Sequence, residues 1–444
     1  MKVNPNIFKS RDIRGIYPDE LNEKVAFKIG QAFVAKTGVS KIVVGQDMRI
    51  SSPSLFKNLI EGILSQGADV FNIGQIPSEC LYFAIMNYGY EAGIMITASH
   101  NPKEYNGFKM FKRINNSLDF VRGKDLTNLI KDYPKRESGK IKEIDIWQDY
   151  INHIFSFVDL EKINSFKIVM DAGNGMAGKV IPIIADRIIP EIIPLNFELD
   201  GNFPAHPSNP LLKGSSDQIS KRVIEEKADF GFIFDGDADR IYLIDEKGEF
   251  VQGDTTLLLL AKYLLGKNPG KGIAYNLICS RAVPLFVKKW GGKAIKTAVG
   301  VVEVKKGMQD NDGVLGGELS GHYLFKDNYY MDSGFISFLI LLQIISESNK
   351  KVSDIVKELS PYAKSAEINF EVEQKEKIIK KIKEKYSDGK QESLDGATVE
   401  YKDWWFNLRP SQTEPLLRLT IEADTEDILD KKKKELISFI KKFQ

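Results

Sequence analysis

Three aspartates alternate with small residues in the stretch Asp235-Gly236-Asp237-Ala238-Asp239-Arg240. Apolar runs typical of buried strands flank this stretch, at 230–234 and 241–244. Like charges held so close in a loop repel one another and would be forced partly neutral. A hard divalent cation relieves that repulsion, and oxygen ligands suit Mg²⁺ or Ca²⁺. The spacing therefore predicts a metal site between two strands.

Neither an exposed acidic turn nor an EF-hand calcium loop fits the three aspartates as well. An exposed acidic turn gives no reason for an aspartate at every second position between apolar strands. An EF-hand loop would use the three aspartates as its first ligands and Glu246 as its last. That loop needs glycine at its sixth position, where this chain has Arg240, and it joins two helices.

A serine hydroxyl lies at the end of another apolar run. Ser99 belongs to the stretch Thr97-Ala98-Ser99-His100-Asn101-Pro102, directly after the strand-like segment 93–96. Ligands of open α/β sheets bind where strands end. A serine is a weak nucleophile unless a base or a charge assists it, and His100 and Lys109 are the nearby candidates. No Gly-x-Ser-x-Gly elbow marks a hydrolase of the Ser-His-Asp type.

Simpler structural roles for Ser99 and Lys109 stay open. Serine, asparagine and proline all favour turns, so Ser99 could serve only as a turn cap. Lys109 lies in a second apolar stretch, where a lysine stem packs while its ammonium group reaches water. The residues near the serine do not decide between these roles and catalysis.

Two further motifs combine hydrogen-bonding side chains with glycines or loop residues. Within Gly316–His322, Glu318 and Ser320 could grip vicinal hydroxyls of a sugar, because glycines let backbone approach a ligand closely. In Arg409–Pro415, a guanidinium, two hydroxyls and loop N–H groups form a phosphate cradle. A glycine-rich bulge and a turn with polar side chains remain the alternatives. Near the start, Arg11–Gly15 places two arginines before a glycine turn.

Short apolar runs alternate with longer amphipathic segments along most of the chain. Strand–helix–strand alternation predicts mostly parallel, helix-covered sheets. A second α/β unit begins at Lys167. A third unit begins with the helix from Asp254, and this unit ends in a long helix from Met331 to about Glu347. After Pro361 the pattern changes to a lysine-rich helix, three strands and a final helix from Thr425.

The expected fold class is therefore α/β, with three similar mixed α/β sheet domains and a smaller C-terminal α+β domain. The predicted domains are residues 1–148 with the Ser99 loop, 149–250 with the aspartate loop, 251–365 with the Glu318 loop and 366–444 with the Arg409 loop.

The bulk composition is that of a multidomain enzyme. With 444 residues, the chain is long enough for several domains of about 100–200 residues each. The formal net charge is +1 at pH 7, so no global field attracts nucleic acid or a membrane surface. Cys80 and Cys279 form no disulfide pattern, which favours a reducing compartment. The start has no apolar signal region, and no run reaches the roughly 20 apolar residues of a membrane span, which predicts a cytoplasmic protein.

Taken together, the motifs resemble those of the α-D-phosphohexomutase superfamily, and within it the bacterial phosphomannomutase/phosphoglucomutase group. D-I-R-G, T-A-S-H-N-P, D-G-D-A-D-R, G-E-L-S-G-H and R-P-S-Q-T-E-P occur in the family's order and spacing over nearly the whole chain. The resemblance implies four domains around a central cleft, with the tail as a lid. It also implies an isomerase, an intramolecular phosphotransferase that interconverts the 6-phosphate and the 1-phosphate of mannose or glucose.

The resemblance implies a role for each motif. Ser99 would carry a phosphoryl group and, with that group, would hold Mg²⁺ together with Asp235, Asp237 and Asp239. The other residues of the transfer site would be Lys109 as a candidate general acid/base, Arg14, His100 and Arg240. The sugar hydroxyls would be bound by Glu318 and Ser320, in a loop that His322 helps to shape. The non-transferring phosphate would be bound by Arg409, Ser411, Gln412 and Thr413.

The resemblance also implies the ligands and leaves two alternatives open. A hexose 1,6-bisphosphate would act as activator and intermediate, and the partners would be small sugar phosphates, with neither nucleic acid nor membrane. We expect a monomer or a weak dimer. The alternatives are a phosphoglucosamine mutase, whose tail loop usually reads Ser-Gly-Thr where Gln412 lies here, and a non-catalytic sugar-phosphate-binding protein. Loss of Ser99 or of an aspartate would favour the latter, and neither is lost.

Overall fold

The computed structural model describes residues 3–411 and 416–443, which form two compact units. The first unit consists of Met1–Gln252 and Ser320–Ser353, and the second of Gly253–Leu319 and Asp354–Gln444. The four domain boundaries inferred from the sequence remain a prediction.

A mixed sheet of seven strands begins the first unit. Its strands are β1 (Ile13–Ile16), β2 (Lys41–Gln46), β3 (Asp69–Gln75), β4 (Ala92–Ile96), β5 (Tyr105–Ile114), β6 (Ser117–Phe120) and β7 (Ile141–Glu143). The order is β1-β5-β4-β2-β3-β7, with β6 on β5. Its helices are α1 (Glu23–Thr37), α2 (Ser52–Leu64), α3 (Ser78–Asn87) and α4 (Gly123–Leu126). Because β5 runs antiparallel to β4 and pairs Lys109 with Met95, the end of β4 that precedes Ser99 lies beside Lys109.

A four-stranded sheet follows in the same unit. Its elements are α5 (Trp147–Phe155), β8 (Lys167–Asp171), α6 (Ala177–Ala185), β9 (Glu191–Leu195), α7 (Asp217–Glu226), β10 (Phe230–Phe234) and β11 (Ile241–Ile244). The strand order is β11-β10-β8-β9, and only β10 and β11 are antiparallel. The hairpin from β10 to β11 therefore carries the aspartates 235, 237 and 239 at one end of the sheet.

Three parallel strands begin the second unit. Its first elements are α8 (Gly253–Lys267), β12 (Gly272–Asn276), α9 (Ala282–Lys289), β13 (Lys293–Thr297), α10 (Val301–Asp310) and β14 (Gly313–Gly317). Strand β12 lies between β13 and β14 and is parallel to both. Glu318 follows directly after β14, where the sequence places the glycine-framed loop.

The chain then adds a hairpin and a long helix to the first unit. The elements are β15 (Tyr323–Phe325), β16 (Met331–Asp332) and α11 (Gly334–Ser348). The predicted helix start at Met331 is wrong: Met331 pairs with Phe325 in the hairpin, and the Ser333 side chain caps the helix by accepting from the Ile336 N–H at 3.0 Å. The prediction joined the apolar Met331 to the helix, although the capping serine at Ser333 marks the start of the helix at Gly334. No helix among the described residues is long and apolar enough to span a membrane.

An antiparallel sheet of six strands makes up the tail of the second unit. The elements are α12 (Val352–Leu359), β17 (Ala363–Lys364), β18 (Ile368–Glu371), α13 (Lys375–Lys385), β19 (Lys390–Glu392), β20 (Ala397–Glu400), β21 (Trp404–Pro410), β22 (Leu416–Ala423) and α14 (Glu426–Lys441). The strand order is β17-β22-β21-β20-β19, with β18 on β22. Thr425 caps α14, as its position before two acidic residues predicts.

Helices α1 and α2 approach each other through glycines. A Cβ added at Gly62 would lie 2.1 Å from the Phe27 carbonyl oxygen, and one added at Gly30 would lie 2.4 Å from the Leu59 carbonyl oxygen. Backbone atoms cannot move aside as a flexible side chain can, so both positions require glycine. This contact packs α1 on α2, and α2 in turn contacts β2, β3 and β4 of the sheet that carries Ser99.

We predict that Gly62→Ala destabilises the protein by about 1–3 kcal/mol, the usual cost of overpacking. Gly266→Ala is the matched control, because Gly266 also lies in a helix and an added Cβ there meets nothing within 4 Å. Thermal unfolding of both variants checks this. A midpoint for Gly62→Ala that equals the midpoint of the natural protein would contradict it.

Candidate active site

Ser99 lies in a turn just after β4, with a positive φ of 50°. Its N–H donates to Thr97 Oγ1 at 2.8 Å, so that Thr97 caps the turn. The Ser99 hydroxyl instead donates to Asp235 Oδ2 at 3.1 Å and lies 3.2 Å from His100 Nδ1. The turn-capping role that the sequence left open for Ser99 thus belongs to Thr97, and the serine hydroxyl faces the aspartates.

The three aspartates of the β10–β11 hairpin are buried together. One carboxylate oxygen of each lies within 4.8 Å of the others. Burial, with the charges of Asp239 and Asp237, raises the pKa of Asp235 well above its ordinary value. Asp237 Oδ1 and Asp239 Oδ1 are buried without a hydrogen-bond partner among the described residues. An exposed acidic turn therefore does not describe this hairpin.

Lys109 directs its ammonium group into the aspartate cluster. Its Nζ lies 2.6 Å from Asp237 Oδ2 and 2.5 Å from Asp239 Oδ2. Burial alone would lower the pKa of Lys109, but these two carboxylates outweigh it and raise the pKa. Lys109 is therefore charged and does not simply reach water. Two carboxylates thus already bind the positive ammonium group, and two further carboxylate oxygens beside it lack a hydrogen-bond partner among the described residues. Such a group of oxygens fits a site for a hard divalent cation.

His100 and Arg240 form a second pair at the serine. Arg240 donates from one terminal nitrogen to His100 Nδ1 at 2.8 Å, and its Nε lies 3.6 Å from Asp235 Oδ2. Burial and the positive charge of Arg240 lower the pKa of His100 well below its ordinary value. The imidazole is therefore neutral at pH 7 and its Nδ1 accepts hydrogen bonds.

Arg14 reaches the Ser99 turn from β1. Its side chain donates to the Ala98 carbonyl oxygen at 3.1 Å and to Asn101 Oδ1, and Asp12 holds its Nε at 2.9 Å. The structure thus brings together five of the predicted residues of the transfer site around the aspartates. They are Ser99, His100, Lys109, Arg14 and Arg240.

His322 lies at the same cluster, whereas Ser320 contributes a backbone contact. His322 Nδ1 lies 2.7 Å from Asp332 Oδ2 and 3.8 Å from Asp239 Oδ1. The Ser320 carbonyl oxygen accepts a hydrogen bond from the Tyr242 hydroxyl. His322 therefore lies beside Asp239 of the aspartate cluster.

Several buried residues around the aspartates were missed by sequence reasoning. Ser78, at the start of α3, donates from its hydroxyl to Asp237 Oδ2 and from its N–H to the Asp237 carbonyl oxygen at 3.2 Å. Asp332 holds His322, and Arg49 binds the carbonyls of the Ser99 turn. None of Ser78, Asp332 and Arg49 belongs to a local pattern that indicates a site.

The predicted substrate-binding residues of the second unit have partners within that unit. Glu318 Oε1 accepts from the Gly300 N–H at 2.7 Å and from Asn276 Nδ2 at 3.1 Å. Arg409 pairs with Glu367 at 2.6 Å. Ser411 is buried. Gln412 and Thr413 lie outside the described residues.

A buried carboxyl group links α3 to the start of α11. Glu79 contacts the Ser333 hydroxyl and accepts from the Phe335 N–H at 3.3 Å. Burial raises the pKa of Glu79 to about 8, although these hydrogen bonds lower it. Between the ordinary carboxyl pKa and that value, the folded state keeps a proton that the unfolded state loses, so rising pH destabilises the fold.

We predict that Glu79→Gln, which mimics the protonated carboxyl group, gains stability relative to the natural protein as the pH rises from about 5.5 to about 7.5. Each pH unit in this window is worth on the order of 1 kcal/mol. Thermal unfolding midpoints of both proteins at several pH values test this. A difference between the two midpoints that is independent of pH would contradict a protonated Glu79.

Comparison with known proteins identifies the family. Models described as phosphoglucomutase/phosphomannomutase match in succession: alpha/beta/alpha domain I at 5–135, alpha/beta/alpha domain II at 148–248, alpha/beta/alpha domain III at 252–362 and the C-terminal domain at 367–438. The phosphomannomutase of Methanocaldococcus jannaschii is 38% identical over 443 residues, covering 98% of either chain. The chain belongs to the phosphoglucomutase/phosphomannomutase family. The phosphomannomutase of Escherichia coli (strain K12), a second relative, is 35% identical over 433 residues, covering 94% of either chain.

Solved structures agree with this family. A phosphoglucomutase/phosphomannomutase family protein from Burkholderia thailandensis has a TM-score of 0.89 at 31% identity, covering 99% of this chain and 98% of the other. The Aspergillus fumigatus N-acetylphosphoglucosamine mutase in complex with GlcNAc-6P and magnesium has a TM-score of 0.65 at 13% identity, covering 99% and 96%. This second likeness concerns the fold alone.

Family membership confirms the predicted fold class, three α/β domains and a C-terminal domain. It also makes the chain an enzyme, an isomerase of the phosphohexomutase class. The alternative of a non-catalytic sugar-phosphate-binding protein is therefore wrong.

Proposed function

We propose that this phosphohexomutase interconverts the 6-phosphate and the 1-phosphate of mannose and of glucose, through phosphoserine at Ser99 and a hexose 1,6-bisphosphate. One observation carries the proposal: the Ser99 hydroxyl lies 3.1 Å from Asp235 at a buried cluster of three aspartates. Lys109 and Arg240 add positive charge to that cluster. Phosphoryl transfer depends on such positioning and charge neutralisation, because the protein has little covalent chemistry to perform.

In the proposed transfer, a hydroxyl oxygen of the hexose phosphate attacks the phosphorus of phosphoserine. The bond between phosphorus and Ser99 Oγ breaks, and its electron pair stays on Oγ. We propose that the charged Lys109 gives a proton to Ser99 Oγ as the bond breaks and recovers one from the attacking hydroxyl, so that the net proton movement is from that hydroxyl to Oγ. The bisphosphate then turns and returns its other phosphoryl group to Ser99 by the reverse step.

Charged side chains around Ser99 would stabilise the transferring group. Arg240 and Arg14 contact the histidine and the backbone beside the serine, so their charges act where negative charge develops. Neutral His100 accepts from Arg240 and keeps its guanidinium oriented.

The aspartate cluster is the proposed metal site. Asp235, Asp237 and Asp239, with the phosphate on Ser99, would hold Mg²⁺, which is usually bound through carboxylates together with substrate phosphates. When bound, Mg²⁺ supplies positive charge that offsets the phosphoryl oxygens. The buried Asp237 and Asp239 oxygens that lack a hydrogen-bond partner among the described residues support this assignment.

Substrate binding is proposed for the remaining motifs. Glu318, Ser320 and His322 would contact sugar hydroxyls, and Arg409, Ser411, Gln412 and Thr413 would bind the phosphate that is not being transferred. Arg409 lies on β21 opposite Arg418 of β22, and both arginines contact Glu367. Two guanidinium groups at the end of one strand pair support an anion-binding role there.

The substrate proposal is tested with a coupled assay that contains Mg²⁺ and trace hexose 1,6-bisphosphate. We expect turnover of mannose and glucose phosphates above that of glucosamine phosphate, and loss of all three activities in Ser99→Ala because the phosphoryl carrier is gone. Preferred turnover of glucosamine phosphate would instead support a phosphoglucosamine mutase. Undiminished turnover by Ser99→Ala would refute the phosphoserine mechanism.

The metal proposal is tested with Asp237→Asn. We expect weaker Mg²⁺ binding by titration calorimetry and activity lower by about 100-fold, the usual effect of removing one preorganised charge-stabilising group. Asp119→Asn, on the exposed side of β6, is the matched control and keeps both properties. Mg²⁺ binding by Asp237→Asn that equals that of the natural protein would count against the metal assignment.

A further inference from the structure

A fully buried arginine lies beneath the Ser99 turn. Arg49 follows β2, and its side chain has an exposed fraction of 0%. One terminal nitrogen donates to the carbonyl oxygens of Pro102 at 2.8 Å and Tyr105 at 2.9 Å. The other donates to the carbonyl oxygens of Ser99 at 2.8 Å and Asn101 at 2.6 Å. One planar group thus binds four carbonyls of a single loop.

The guanidinium is itself held on its other sides. Asp47 Oδ2 lies 3.3 Å from Arg49 Nε, and the Phe203 ring centroid lies 5.0 Å from the guanidinium carbon. Asp47 is in turn fixed by the Ser52 hydroxyl at 2.6 Å. Arg49 therefore cannot change its orientation without breaking several contacts in a buried region.

The loop that Arg49 holds is the one that aims the serine. Ser99 has a positive φ of 50°, a conformation that a non-glycine residue adopts only when its surroundings impose it. Because Arg49 binds the Ser99 and Asn101 carbonyl oxygens, these carbonyls point toward Arg49. The Ser99 hydroxyl points instead to Asp235. The Arg49 side chain hydrogen-bonds these carbonyls and forms an ion pair with Asp47, so we infer that its influence on the serine hydroxyl passes through the backbone.

We propose that Arg49 is a positioning residue, which sets the rate of phosphoryl transfer by fixing the 99–105 loop and so the direction of Ser99 Oγ. This role requires no contact between Arg49 and the substrate or the metal. It rests on the proposed function, in which Ser99 carries the phosphoryl group.

The substitution Arg49→Lys tests the proposal, because lysine keeps the charge but lacks the planar fork that binds four carbonyls. We expect kcat to fall by roughly 100-fold, the effect of a displacement of about 1 Å at a reacting group, while KM stays close to that of the natural enzyme. Phosphorylation of Ser99 by hexose 1,6-bisphosphate, followed by intact-protein mass spectrometry, should slow to the same extent. A merely structural role would lower stability without this split between kcat and KM.

Arg113→Lys is the matched control, since Arg113 lies on β5 and its Nε donates to the Asn115 carbonyl oxygen in an exposed position. It should keep both kcat and the phosphorylation rate. If circular dichroism shows that Arg49→Lys does not fold, Asp47→Asn serves instead, because it removes the charge paired with Arg49. A folded Arg49→Lys, or Asp47→Asn in its place, with unchanged kcat and Ser99 phosphorylation overturns the proposal.

Ser99→Ala distinguishes failure of the positioning role from failure of the proposed function. An active Ser99→Ala enzyme would remove the proposed function and the positioning role of Arg49 with it. An inactive Ser99→Ala enzyme together with a fully active Arg49→Lys enzyme would remove the positioning role alone.

Discussion

Burial of three aspartate carboxylates within 4.8 Å of one another is the constraint on which the arrangement of the first unit depends. Repulsion between such charges is far stronger inside a protein than in water. The fold compensates with Lys109, which bonds two of the carboxylates, and with Arg240 beside the third. The buried Asp237 and Asp239 oxygens without a partner among the described residues leave the cluster able to bind more positive charge.

The compensating groups come from separate parts of the sheet architecture. Lys109 lies on β5, whose antiparallel pairing with β4 brings it to the strand that precedes Ser99. Ser78 reaches Asp237 from the start of α3. The serine turn is fixed by Arg49, which follows β2, the other neighbour of β4. Strand order therefore decides which side chains lie around the Ser99 turn.

Most of the fold and part of the site could be predicted from the sequence. Helices and strands follow from local periodicity, and the strand-like runs 230–234 and 241–244 are strands at those bounds. The helix start at Met331 was wrong, because that residue was joined to the helix across Ser333, the residue that caps it. Asp332 and Arg49 were missed, because neither belongs to a local pattern that indicates a site. Arg49 binds backbone carbonyls, and because every residue has one, no sequence pattern marks the residues that it binds.

The sequence by itself determined which groups could do chemistry: a serine at a strand end, three alternating aspartates in a hairpin and an arginine–serine loop in the tail. These features depend on residues only a few positions apart in the chain, and such residues lie close together in any fold. The tertiary structure alone decided that Thr97 caps the turn while the Ser99 hydroxyl faces Asp235. It also decided that Lys109 keeps its charge although it is buried, because the fold brings the carboxylates of Asp237 and Asp239 within hydrogen-bond distance and these raise its pKa.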